Sequence, residues 1–291
     1  MRPAKREAVS DPPPSKRGVL SQLLSLGLFI VFPAIIALDV TGQRSWRRDW
    51  GGDPRHGIPD WELDQHFTDD KFTFVRLRYS SHYGPQGWGR RGRDWRTDYP
   101  DADLNFSFRL EQLTSIKTDP DGLVLDITDP RLDQYPFVYI VEPGSLRFET
   151  DELPALRNYL LNGGFLMVDD FWGEDEYANF YREIKRVFPD REPIDLPLDH
   201  PIFRTVFTLD KKPQVPSPSY MHYGYERRDA EEVHYRGVFD DQGRMMVIIC
   251  HNTDLGDGWE QEAIDPEYFH TYSEKQAYPM GINIVVYALT H

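Results

Sequence analysis

FVYIVEPGSLRFETDELPALRNYLLNGGFLMVDD, running from Phe137 to Asp170, sets the architecture of this chain. Its first five residues are continuously apolar, as a strand must be when both of its faces are buried in a parallel sheet. Leu153, Leu156, Tyr159 and Leu160 then recur at helical spacing. Thr150 stands where a cap is needed, and Pro154 falls in the first turn, where a missing amide costs little. Gly163-Gly164 stops the helix, the first glycine supplying a left-handed cap. Phe165-Leu166-Met167-Val168 is a second buried strand. Strand, helix, strand in this order implies a right-handed crossover and a parallel sheet, hence an α/β domain.

The same patterning extends to either side. Lys71 to Tyr79 reads as a strand in which Phe72, Phe74, Val75 and Leu77 interleave with arginines. A helix is expected from a cap at Asp101 to about Thr114, with Leu104, Phe108 and Leu113 on or near one face, and a short strand from Leu123 to Ile127. Tyr177, Phe180, Tyr181, Ile184 and Val187 mark a second amphipathic helix, and Pro189 to Pro218 is proline-rich and extended. Glu232 to Phe239 and Arg244 to Cys250 form a hairpin turned by Asp240-Asp241-Gln242-Gly243. A last helix runs from Ala277 to Leu289.

Ahead of this domain lies one long apolar run, Val19 to Val40. Its 22 residues span ~33 Å as a helix, enough for the hydrocarbon layer of a bilayer. Residues 1–18 are a basic arm; Arg17 flanks the run on one side, and Trp46 and Trp50 fall where an interfacial aromatic belt sits. The reading is a single-pass anchor in the cytoplasmic membrane: arm 1–18 in the cytoplasm, span 19–40, tether 41–70, and the domain 71–291 on the periplasmic or other extracytoplasmic side. A cleaved signal peptide, with Val40-Thr41-Gly42 as a passable site, and a buried soluble helix are the competing readings.

Net charge is −15 over 291 residues, and the arm and apolar run carry more base than acid, so the domain is more acidic still. Such a surface repels phosphate backbones, and nucleic acid is set aside as a partner. Cys250 is the only cysteine, so no internal disulfide can form and the core must hold the fold. Aromatic residues make up 14% of the chain, consistent with a thick core or a broad packing surface.

Five blocks in order carry a resemblance: DYPDADLNFSFRLEQLTSI from Asp98, YLLNGGFLMVDDFWG from Tyr159, LPLDHPIF from Leu196, VIICHNTDLGDGWE from Val247 and AYPMGINIVVYALTH at the C-terminus. Over roughly residues 70 to 291 the chain resembles the bacterial family catalogued as domain of unknown function 4159. The resemblance implies a flavodoxin-like, class I glutamine amidotransferase-like three-layer sandwich, and implies no particular reaction.

An amidotransferase needs a thiol at a sharp turn after a strand, with a histidine near it. After Phe165 to Val168 the chain offers Asp169, Asp170, Phe171, Trp172 and Gly173, with neither Cys nor Ser. Cys250 lies within a hairpin strand, and His251 beside it points to the opposite face. Metal-ligating candidates are Asp169, Asp170, His200, His251 and Asp254, with His222 and Asp257 as further residues able to converge in space; none shows a local ligand spacing. Asn252 to Glu260 fails the EF-hand pattern, since Gly256 occupies its fifth position and Ala263 its twelfth. The plainer reading makes these Asp and Gly residues turn formers, with Asp170 capping a helix. His82, Tyr83, Trp88, Trp95 and Arg96 sit in a Gly- and Arg-rich loop suited to protein or sugar recognition, or folded onto its own domain. Pro213 to Tyr225 is a Tyr-rich arm that docks or wraps. The expected function is a membrane-anchored binding or assembly module without a catalytic centre and without a cofactor, an accessory subunit of a larger membrane complex. A metal-assisted hydrolase using Asp169, Asp170 and a histidine, and a periplasmic sugar-binding module, are the alternatives.

Overall fold

Five parallel strands run inward from one edge of the sheet in the order β3 (Leu123–Asp126), β1 (Val75–Arg78), β4 (Phe137–Val141), β6 (Phe165–Asp169) and β9 (Met245–His251). β8 (His234–Phe239) continues the sheet antiparallel to β9, and β7 (Ile194–Asp195) pairs antiparallel with β8 at the far edge. A two-residue ribbon, β2 (Ser80–Ser81) with β5 (Leu146–Arg147), stands apart. This computed structural model describes residues 55, 57–63, 70–81 and 94–291. All of these elements belong to the unit Gly57–His291.

The segment from Phe137 to Val168 is sealed on both sides. Phe137, Tyr139 and Val141 face one layer with Phe165 and Met167 of β6. That layer is covered by α1 (Asp101–Leu113), α4 (Leu255–Glu260) and the C-terminal α5 (Tyr278–Thr290). Val138 and Ile140 face the other layer with Leu166 and Val168, under α2 (Glu152–Leu161) and α3 (Gly173–Val187). The result is a three-layer α/β sandwich, and the unbroken apolar runs follow from having a helical layer on each face. β4 and β6 pair in parallel from Phe137 against Phe165 to Val141 against Asp169, so their carboxyl ends finish level.

Local chemistry differs from the sequence reading in small ways. The N-cap of α2 is Asp151 rather than Thr150, and the Glu152 carboxylate accepts the Glu149 amide at 2.7 Å. Gly163 does end this helix in the left-handed region, at φ 112°. At Gly164 a side chain is excluded because a Cβ would lie 2.4 Å from the Tyr159 ring. The hairpin turns where expected, the Asp240 carboxylate accepting the amides of Gln242 and Arg244 at 2.9 Å. Asp101 lies inside the first turn of α1 rather than capping it. A nine-residue π-helical segment, Phe269–Ala277, precedes α5 and is not legible from spacing.

The strand expected from Lys71 to Tyr79 is shorter, with Phe72 making only an isolated bridge to Thr118. Its interleaved arginines also divide. Arg78 stays exposed, paired with Asp126 at 2.5 Å, whereas Arg76 is fully buried. The Arg76 guanidinium meets Asp103 of α1 at 2.5 Å and donates to the carbonyls of Trp95 (3.1 Å) and Thr97 (2.7 Å). One buried cation thus fixes both α1 and the turn ahead of it. Of the expected tether 41–70, Trp61 packs on the domain, its indole N–H donating to the Thr118 carbonyl at 3.0 Å and its ring 5.8 Å from Phe108. The arm 1–18, the run 19–40, Arg17, Trp46 and Trp50 lie outside the described residues. Among the described residues no helix is long and apolar enough to cross a membrane.

Removing one partner of a buried ion pair strands the other charge, at about 3–5 kcal/mol. Arg76→Met is therefore expected to lower urea stability by that amount, and Arg76→Met with Asp103→Leu to recover most of it. Equal losses in the single and double variants would show that charge compensation is not what the pair provides.

Candidate functional site

With both faces of the sheet covered, polar chemistry is confined to the strand ends. Three adjacent parallel strands end alike. Glu142 follows β4 at φ 52°, Asp170 follows β6 at φ 57°, and Asn252 follows β9 at φ 63°. Asp98, on the turn held by Arg76, has φ 62°. Left-handed backbone is costly for a residue with a Cβ, of order 1–3 kcal/mol, and persists where surrounding structure over-determines it. Asn252 is held there by hydrogen bonds: its side chain accepts the Gly173 amide at 2.8 Å and donates to the Glu232 carbonyl at 2.7 Å. Asp98 and Asp170 instead present oxygens to each other, within 4.8 Å.

Their neighbours are more carboxylates. Asp98, Asp170 and Asp254 can each present an oxygen within 4.8 Å of the others; so can Asp98, Asp257 and Glu260, and so can Glu226, Asp254 and Asp257. α4 supplies much of this. Asp254 caps it by accepting the Asp257 amide at 2.7 Å, and Asp257 and Glu260 follow on the helix itself. Glu226 comes just after the arm Pro213 to Tyr225, which is tied at Ser217 N–H to the Glu226 carboxylate (2.8 Å) and at the Val215 carbonyl to the Asp254 amide (2.8 Å). Gly256 lets the backbone enter: a Cβ there would lie 2.6 Å from Asp98 Oδ2 and 3.3 Å from Asp254 Oδ1. Its amide donates to Asp169 Oδ2 at 3.0 Å, beside the Tyr139 hydroxyl at 3.2 Å.

Burial and mutual repulsion set the electrostatics. Asp98, Asp170 and Asp254 are held well above the ordinary carboxylate range, first by burial and then by neighbouring carboxylates, Asp257 among them. Asp169 is raised to about 7, chiefly by burial. Asp257 is raised to about 7 by burial and by Glu260. Arg76 relieves Asp98 only in part, because its guanidinium is committed to Asp103. Asp98 Oδ2 and Asp169 Oδ1 are shut off from solvent and accept no hydrogen bond.

The sequence candidates divide. Asp170 and Asp254 enter the cluster, and Asp169 lies in the layer beneath it. Neither His200 nor His251 joins any of the three groups. His200 accepts the Ile202 amide through Nδ1 at 3.3 Å and stands 5.7 Å from the Tyr287 ring. His251 is buried between Phe171 and Tyr177, with Nε2 3.0 Å from the Gly173 carbonyl and Nδ1 3.2 Å from Arg236. Burial draws it down to about 4. It is therefore neutral at pH 7, with Nε2–H donating to the carbonyl and Nδ1 accepting from the guanidinium. Asp170 does not cap α3, whose N-cap is Trp172. Sequence reasoning misses Asp98, Glu226 and Glu260, and has Asp257 only as a residue able to converge. Trp95 packs partly buried on the core, with Arg96 across its ring (5.7 Å) and paired to Asp94. His82, Tyr83 and Trp88 lie outside the described residues. Cys250 is fully buried and its thiol is pushed well up by that burial.

The profile of a domain of unknown function (DUF4159) matches residues 73–289, most of the chain. The chain belongs to this family. Every carboxylate of the cluster lies within the DUF4159 match, and the apolar run 19–40 lies outside it. No curated protein matches the chain.

Asp257 keeps its proton up to about 7 when folded and only up to about 4 when unfolded, so the folded state binds more protons in between. The stability this group contributes is full below the lower value and is lost as pH rises through the upper one. His251, lowered to about 4, acts in the opposite sense, and its contribution is lost as pH falls. Thermal melts in chelator should show Asp257→Asn gaining on the parent chain by about 1–3 kcal/mol between about pH 5 and about pH 8. A difference independent of pH would contradict a proton held on Asp257.

Proposed function

We propose that the domain binds a hard divalent cation among the carboxylates at the carboxyl edge of its sheet, and that binding rather than turnover is its task. One observation carries the reading: carboxylates sunk into the domain surface converge there while the guanidinium beside them, Arg76, is engaged elsewhere. Taking like charges out of water without compensation costs several kcal/mol per ion, and they must hold protons or meet a cation. An all-oxygen set suits Ca²⁺, Mg²⁺ or Mn²⁺ rather than zinc or copper. The position also agrees with the general rule that open α/β sheets bind ligands beyond the carboxyl ends of their strands.

The layering and parallel core support reading the fold more finely as flavodoxin-like, of the class I glutamine amidotransferase kind. Amidotransferase chemistry is disfavoured by a thiol that is sealed in β9 and protonated. A metal-assisted hydrolase would draw its base from the carboxylates, since the two histidines considered for that role serve packing and a turn. The apolar run 19–40 supports a second, compatible proposal, that the domain is held at a membrane as an accessory subunit of a larger complex.

The test uses the full-length chain in detergent, stripped with chelator and melted with and without millimolar Ca²⁺, Mg²⁺ or Mn²⁺. An ion present at 100 times its Kd adds roughly 2.7 kcal/mol, a Tm rise of about 5 °C or more for a domain of this size. Asp170→Asn or Asp254→Asn should reduce the rise. An unchanged Tm with all three ions would refute the reading.

A further inference from the structure

The three carboxylate groups overlap. Asp98 belongs to the group with Asp170 and Asp254 and also to the group with Asp257 and Glu260. Each group needs a single oxygen from each member, and a carboxylate has two. The acid count points the same way: the residues of the three groups are Asp98, Asp170, Glu226, Asp254, Asp257 and Glu260, and one divalent ion offsets only two of those six carboxylates, leaving the others to hold protons or meet a second ion.

A second observation is independent of the acid count. Asp98 Oδ2 is closed off from solvent and accepts no hydrogen bond, although Gly256 brings the α4 backbone against it. In the layer beneath, Asp169 is fully buried with Oδ1 likewise unpartnered. Buried carboxylate oxygens normally find a donor, and one without a protein partner points to an ordered water or an ion. Among so many acids, the ion is the partner that also offsets charge. Asp98 is also held in left-handed backbone on a turn clamped by Arg76 through the Trp95 and Thr97 carbonyls. Its carboxylate is thereby fixed at the junction of two groups rather than belonging to one.

Resting on the cation-binding reading above, we propose that the site takes two hard divalent cations bridged by Asp98. One is held by Asp98, Asp170 and Asp254, the other by Asp98, Asp257 and Glu260. Two ions sharing a carboxylate lie on the order of 4 Å apart, close enough to bind a common oxygen of an anionic ligand such as a phosphoester or carboxylate. An acidic site would in this way become a receptor for anions once loaded.

Mn²⁺ serves as the probe. The full-length chain, stripped and then titrated with Mn²⁺, is followed by counting bound ions and by electron paramagnetic resonance. Two ions per chain with an exchange-coupled spectrum at saturation are expected. Asp170→Asn and Glu260→Gln should each retain one ion with an uncoupled six-line spectrum, and Asp98→Asn should weaken both by at least tenfold. Saturation of the parent chain at one ion would overturn the two-ion proposal while leaving the cation-binding reading standing. No bound ion at all would overturn both. Loss of one ion in Glu226→Gln but not in Glu260→Gln would place the second ion elsewhere and overturn the Asp98 bridge.

Discussion

Burial of both faces of the parallel sheet governs everything else in this domain. β4 and β6 carry no charged residue before their carboxyl ends, because α1, α4 and α5 cover one face and α2 and α3 the other. Anything that must meet water or a ligand is therefore displaced to the strand ends. There the chain places three successive left-handed residues that carry side chains, Glu142, Asp170 and Asn252. The same burial that stabilises the strands makes each carboxylate at their ends costly to ionise. Fold and electrostatics are thus two consequences of one arrangement.

Arg76 links the core to the site. Its charge is neutralised by Asp103, and its remaining donors hold the turn that ends at Asp98. A cation placed one step away from the carboxylate cluster, and already saturated, organises that cluster without neutralising it. The net effect is a set of carboxyl groups fixed in place before any ligand arrives, and preorganised groups act more strongly on a ligand than groups that must first be arranged. An anchored yet uncompensated cluster makes sense if the compensation comes from outside the chain.

The parts of the fold legible in the sequence are those governed by local periodicity. Phe137 to Val168 can be read because full burial on both faces leaves an unbroken apolar signature, and Asp240 to Gly243 because turn chemistry is local. Arg76 reads as a half-exposed strand residue, since nothing nearby announces that Asp103, on another element, will neutralise it. The site is only partly legible for the same reason. Asp170 can be placed at a strand end, and the acids of Asn252 to Glu260 are visible, but the grammar of a single continuous calcium loop rejects them. The observed cluster is assembled from four separated segments, with Asp98 and Glu226 contributed by turns that no spacing rule connects. The histidines mislead because residue type alone suggests ligands, whereas His251 is fixed by a carbonyl and a guanidinium.

If bound cations balance the charge gathered at the strand ends, they should be visible. The decisive measurement is a crystal structure of the Mn²⁺-loaded full-length chain, with anomalous scattering recorded at the manganese edge. The expected result is anomalous density enclosed by Asp98, Asp170, Asp254, Asp257 and Glu260, with Asp98 Oδ2 within bonding distance of an ion. Absence of anomalous density there, with the carboxyl groups hydrogen-bonded to one another as acids, would contradict cation binding.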